Sequence, residues 1–153
     1  MRFKRLGELF ESYHHQLYLT AMAITKSREL AEDAVHEALI AVSESSTEPK
    51  NLKACVFTAV RNKAVKLLIY RNKHMALSDF IEPFEELSEE TVVMKSVFKL
   101  LDELDGTQQQ VIIMKTLGDM TFQEIADCLD KSINTVSSSY RRGIERIQEK
   151  IND

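Results

Sequence analysis

Residues 121–142 read Thr121-Phe122-Gln123-Glu124-Ile125-Ala126-Asp127-Cys128-Leu129-Asp130-Lys131-Ser132-Ile133-Asn134-Thr135-Val136-Ser137-Ser138-Ser139-Tyr140-Arg141-Arg142. Two helices joined by a tight turn fit this stretch. Thr121 with Glu124 has capping-box spacing, which satisfies free N–H groups at a first helical turn. Ser132 can cap a second helix, with Thr135 three residues on. Between them Asp130 is a turn residue that tolerates a left-handed backbone, though less readily than glycine. Ile125, Ala126, Leu129, Ile133 and Val136 are the apolar positions that pack the pair, with Ala126 small where the helices approach closely. The spacing predicts a helix-turn-helix. Working outward, Thr107 with Gln110 has capping-box spacing for a preceding helix. Its apolar run, Val111 to Leu117, stops at Gly118, the natural C′ residue.

The second helix of the pair carries Asn134, Thr135, Ser137, Ser138, Tyr140, Arg141 and Arg142 on a polar face. Arginine and asparagine can bond guanine and adenine through two hydrogen bonds each, while serine and threonine can meet bases or phosphates. A polar helical face taken alone favours a merely solvated surface. The stacked caps, the tight turn and the short neighbouring helix turn the reading towards a DNA major groove.

Across the 153 residues a hydrophobic share of 44% suffices for a core, and only four Gly and two Pro point to an all-α protein. The expected architecture is two small helical domains joined by an acidic linker, with boundaries at 1–76, 77–90 and 91–153. Cys55 and Cys128 lack metal-ligand spacing and read as buried thiols of a reducing cytosol. The absence of a signal peptide and of any run of membrane-spanning length predicts a cytoplasmic protein without membrane insertion. His14, His15, His36 and His74 show no ligand spacing, and there is no Gly-rich phosphate loop. No catalytic residue, metal or cofactor is therefore expected, and the chain does not read as an enzyme.

The net charge of −4 hides a segregation. Residues 50–78 contain seven Lys/Arg and no Asp or Glu, whereas 79–105 contain nine acidic residues against Lys95 and Lys99. Such a basic block can follow phosphates, with binding that weakens steeply in salt. Upstream, Leu6, Phe10, Tyr13, Leu17, Ala21 and Ile24 recur at helical spacing over 3–25. Ser27 can cap a second helix over about 28–43, with a buried stripe of Leu30, Ala34, Val35, Ala38, Leu39 and Val42. Glu29, Glu32, Asp33, His36 and Glu37 take its other side, which periodicity alone reads as a solvated face. Leu52, Val56, Val60, Ala64 and Leu67 continue the repeat over about 52–73. Arg61, Asn62, Lys66, Tyr70, Arg71 and Lys73 decorate this third helix. Aromatics beside cations can stack on unpaired bases; Phe57 reads as core, and Tyr70 suits either role.

Leu17-Tyr18, the run Glu29-Leu30-Ala31-Glu32-Asp33-Ala34-Val35-His36-Glu37-Ala38-Leu39, then Lys53-Ala54, Arg61-Asn62 and Ala64-Val65, and finally Thr121 to Ala126 and Asn134-Thr135-Val136 follow one another in a telling order. Over nearly its whole length the chain resembles an extracytoplasmic-function sigma factor, the minimal two-domain specificity subunit of bacterial RNA polymerase. The resemblance implies that Asp33, His36 and Glu37 dock on a coiled coil of the β′ subunit, with a further contact to the β flap. It places Arg61, Asn62, Lys63, Lys66, Tyr70, Arg71 and Lys73 at the −10 element. There Asn62 and Tyr70 would meet an opened base, and Lys63, Lys66, Arg71 and Lys73 the phosphates. Thr121, Ser132, Asn134, Thr135, Ser138, Arg141 and Arg142 would serve the −35 duplex. The linker would lie along the RNA exit path, where its carboxylates could mimic nucleic acid or simply form a solvated tether. Core polymerase and promoter DNA are the expected partners, and an anti-sigma protein is a further one common in the family.

The chain also departs from the family pattern. It has no Trp, and Val42 and Cys55 stand at two places where Trp is common. His36 replaces a common glutamine, and Lys66 a frequent acidic residue. Ser137 and Ser139 replace cations, and Asp130-Lys131 replace a glycine and an aliphatic residue. These differences imply altered DNA contacts. They keep two other readings open: a sigma-mimicking adaptor that binds an anti-sigma protein without DNA, and a dimeric helix-turn-helix repressor.

Overall fold

The computed structural model describes residues 2–74 and 89–152, with side chains described for 3–74 and 96–152. The seven helices found among these residues are α1 (Arg2–Thr25), α2 (Arg28–Glu44), α3 (Leu52–His74), α4 (Glu89–Asp102), α5 (Gly106–Thr116), α6 (Phe122–Leu129) and α7 (Ile133–Asn152). They fall into two units, Met1–Glu82 and Pro83–Asp153.

In the first unit α1, α2 and α3 pack against one another. Alanines make this close packing feasible: Ala21, Ala31, Ala34, Ala38, Ala54 and Ala64 are all buried, with Leu17, Val56, Phe57 and Val60 filling the space between helices. The α2 stripe keeps Ala34, Val35, Ala38 and Val42 of the sequence expectation and adds Ala31. Ala31, Ala34, Val35, Ala38 and Val42 are buried, while Leu30 and Leu39 are only half-buried. Ser27 caps α2 by accepting from the Leu30 N–H. The cap of α3 is Asn51, whose side chain accepts from the Ala54 N–H at 3.0 Å, a signal that sequence reasoning passed over.

In the second unit α5 and α6 pack on α7, and α4 touches it. The core is Val111, Ile112, Ile113 and Met114 of α5, Met120, Ile125 and Ala126 around α6, and Val136 of α7. The capping box of α5 differs from the expected one. Asp105 is the N-cap, its carboxylate accepting from Gln108 N–H while the Gln108 side chain accepts from Asp105 N–H. Thr107 lies inside the first turn. Gly118 does follow the C-cap Leu117, but no described glycine has a positive φ; the left-handed residue is Asp119, at φ 52°. Gly118 is required for space instead. A Cβ there would meet the Met114 carbonyl oxygen at 2.7 Å and Met120 Cε at 2.8 Å. The expected acidic linker, 77–90, lies outside the described residues apart from Glu89 and Glu90, which open α4.

Candidate functional site

Three surfaces carry the residues singled out from sequence. On α6 and α7 the helix-turn-helix is built as its caps require. Thr121 Oγ1 accepts from Glu124 N–H at 3.1 Å, and Glu124 Oε1 accepts in return from Thr121 N–H at 3.0 Å. The turn closes at Asp130, with φ 54° and ψ 48°, and Lys131 N–H donates back to the Ala126 carbonyl at 3.0 Å. Ser132 Oγ then accepts from Thr135 N–H at 3.1 Å and lies 2.9 Å from the Thr135 hydroxyl. Ile133, expected in the packing between these helices, is instead 43% exposed.

Asn134, Thr135, Arg141 and Arg142 are exposed, and Ser137, Ser138 and Tyr140 are half-buried. Tyr140 packs edge-on against Phe122 with ring centroids 5.4 Å apart, and Lys115 Nζ lies 5.0 Å over the other ring of that pair. Lys115 thus joins the surface beside the start of α6, a position the sequence reading did not include. The cations of α7 divide by position. Arg146 and Lys150 reach towards Glu103 at 3.9 and 3.7 Å, whereas Arg141 and Arg142 have no ion pair among the described residues. The amino-terminal half of α7 therefore offers hydroxyls, one amide and two unneutralised guanidinium groups, a set that bonds base edges and phosphates alike.

The second surface is α3. Asn62, Lys66, Tyr70 and Lys73 are all exposed, and their spacing of four, four and three residues puts them on one helical face. Ile69 and His74, absent from the sequence-based set, belong to the same face. Ile69 is 56% and Tyr70 65% exposed, and the Tyr70 and His74 rings lie 4.3 Å apart. α3 contains no Asp or Glu. A stripe of amide, aromatic, apolar and cationic groups without carboxylates suits a strand whose bases stack and whose phosphates need neutralising. Arg61 and Lys63 flank it half-buried, and the Arg61 guanidinium donates to Asn62 Oδ1 at 3.3 Å. Arg71 does not join this surface. It is buried, and its guanidinium donates to the Thr25 carbonyl at 3.4 Å. Phosphate contact by Arg71 is therefore corrected to a place inside the fold. The clue was in the spacing, since Arg71 follows the buried Phe57 and Ala64 at intervals of fourteen and seven.

The third surface is the outer face of α2. Asp33, His36 and Glu37 are exposed at helical spacing i, i+3, i+4, and Ile40, 43% exposed, completes the row at i+7. His36 also borders a groove of about 440 Å³ between α1 and α2, with Phe10, Tyr18, Val35 and Leu39 on its walls. Ile40 is thus an apolar residue set within a charged face. Among the described residues no cluster of His, Cys, Asp and Glu is arranged to hold a metal, and no helix is long and apolar enough to cross a membrane.

Residues 95–147 match the family model for region 4 of sigma-70. The match spans the end of α4 and the whole helix-turn-helix. RNA polymerase sigma factor SigV of Bacillus subtilis (strain 168) is 24% identical over 142 residues, covering 89% of this chain and 86% of that one. SigO of the same strain is 22% identical over 148 residues, covering 97% and 78%. In fold the chain is similar to the sigma factor RpoE of Bartonella quintana, solved in complex with the anti-sigma factor NepR. The TM-score is 0.70 at 22% identity, over 97% of this chain and 98% of that one. The helix-turn-helix is thus matched as sigma-70 region 4, and along most of its length the chain is similar to RNA polymerase sigma factors.

Proposed function

We propose that this protein is a sigma factor that binds core RNA polymerase and directs it to promoters, without catalytic activity of its own. Residues 1–76 form its polymerase-binding and −10 domain, 77–90 its linker and 91–153 its −35 domain. The outer face of α2, with Asp33, His36, Glu37 and the exposed Ile40, meets the β′ coiled coil, and the C-terminal domain meets the β flap. The α3 stripe takes the opened −10 strand, with Tyr70 stacking on a base, Asn62 bonding a base edge, and Lys63, Lys66 and Lys73 holding phosphates. The amino-terminal half of α7 enters the −35 major groove with Asn134, Ser138 and Arg142 at base edges. Thr121, Ser132, Thr135 and Arg141 lie near phosphates.

The observation that carries this reading is the pairing, in one chain, of a capped helix-turn-helix matched as region 4 with a carboxylate-free aromatic stripe on α3. The reading puts the protein in the cytoplasm with polymerase. It also makes an anti-sigma protein a natural partner, in keeping with the complex in which the Bartonella relative was solved. Reconstitution with core polymerase, followed by run-off transcription from fragmented genomic DNA of the source organism, tests it. Co-elution with discrete transcript starts is the expected result. Failure to bind polymerase would overturn it.

One observation favours a second reading. Ser137, Ser138 and Ser139 make the recognition helix poor in cations, as an adaptor that binds an anti-sigma protein without DNA would allow. In that case the protein would co-elute with an anti-sigma protein yet show no salt-dependent promoter binding alongside polymerase.

A further inference from the structure

Arg71 is the exception among the cations of α3. Lys66 and Lys73 on either side of it are exposed, whereas Arg71 is 8% exposed and points inward. Taking a guanidinium out of water is costly unless charges or dipoles compensate it. Here α1 ends at Thr25, and the last carbonyls of a helix carry the negative end of its dipole. The Arg71 guanidinium donates to the Thr25 carbonyl across a separation of 46 residues.

The turn it meets is tightly built. The Thr25 hydroxyl is shared between the carbonyls of Ala21, at 3.0 Å, and Ser27, at 3.1 Å. Lys26 adopts a left-handed backbone at φ 56°, and its Nζ donates to the Ala23 carbonyl at 2.8 Å. Ser27, itself buried, caps α2. Arg71 therefore ties the last turn of α3 to the end of α1, at the residue that leads into the α1–α2 turn. Its neighbour in sequence, Tyr70, is exposed on the same turn.

We propose that Arg71 is a positioning residue for promoter opening. Its bond to the α1–α2 turn sets the direction in which the Tyr70–Lys73 end of the α3 stripe faces relative to the docking face of α2. A polymerase seated on α2 then presents Tyr70 to the −10 strand in register. This inference rests on the assignment of those two faces under the proposed function. Being inside the fold, Arg71 touches neither partner, so its loss separates opening from binding.

The test uses the full chain assembled with core polymerase, comparing wild type, Arg71→Met and Val60→Ala. Val60 is a fully buried α3 residue outside the turn network, so its truncation lowers stability without altering the bond to Thr25. Three quantities are measured: thermal unfolding, affinity for core polymerase, and permanganate reactivity of −10 thymines in promoter complexes. Arg71→Met is expected to hold polymerase affinity within about twofold of wild type while lowering −10 reactivity about tenfold. Val60→Ala should open promoters as wild type does. Should Arg71→Met not fold, Arg71→Lys carries the same comparison, with opening reduced about threefold at unchanged polymerase affinity. Normal opening by the Arg71 variants, or an equal opening defect in Val60→Ala, would overturn the proposal. If wild type itself bound no polymerase, the sigma-factor reading would fail first and the inference would fall with it.

Discussion

Gly118 and Asp119 divide between them a task usually held by one glycine. The left-handed turn after α5 sits at Asp119, while Gly118 is held by the closeness of the Met114 carbonyl. A backbone oxygen cannot swing aside as a side chain can. Gly118→Ala is therefore expected to destabilise the C-terminal unit by about 1–3 kcal/mol, read as a lower urea midpoint. An unchanged midpoint would mean that the turn absorbs the methyl group. At the same scale, Arg142 is a candidate phosphate or base contact with no competing ion pair among the described residues. Replacing it by Ala should weaken promoter binding. If its partner is a phosphate, the slope of log affinity against log salt falls by about 0.9. Promoter affinity equal to wild type at every salt concentration would remove Arg142 from the site. That Arg142 projects from the helix could be read from sequence. That Arg71 does not could only be suspected from its interval to Phe57 and Ala64, because composition makes every arginine in a basic block look alike.

Helix beginnings were legible where a hydroxyl or carboxylate stood three residues before its return partner. Thr121 with Glu124 and Ser132 with Thr135 form as the spacing predicts. For α5 the spacing of Thr107 with Gln110 pointed to a start two residues too late, because Asp105 with Gln108 is the pair that forms. The structure chose the earlier pair, and Leu104, buried just ahead of it, anchors the entry of the chain. Removing the cap with Asp105→Ala should cost about 0.5–2 kcal/mol, whereas Thr107→Ala should change stability by only a few tenths of that. Thermal unfolding of the two variants side by side decides the matter, and the reverse order of effects would restore Thr107 as the cap. Along α3, the stripe Asn62–Lys66–Tyr70–Lys73 was legible from a period of 3.6. Ile69 and His74 were not, since an apolar residue and a histidine in a helix read as core or incidental until their exposure is known.

Over the whole chain, charge segregation has a kinetic consequence. Under the proposed function, an acidic face on α2 and a carboxylate-free α3 in one molecule would steer different partners, and rim charges act mainly on encounter rates. Glu37→Lys is expected to slow association with core polymerase several-fold at low salt, and the difference should shrink as salt screens the face. A rate identical to wild type at low salt would exclude Glu37 from the docking surface. The sequence by itself determined the helical class, the helix-turn-helix and most helix ends, because these follow from short-range hydrogen bonding and from the period of apolar residues. Only the tertiary structure decided which cation turns inward and which apolar side chains remain exposed. Those outcomes depend on atoms brought together from distant parts of the chain, as the 46 residues between Thr25 and Arg71 illustrate, and no local pattern encodes them.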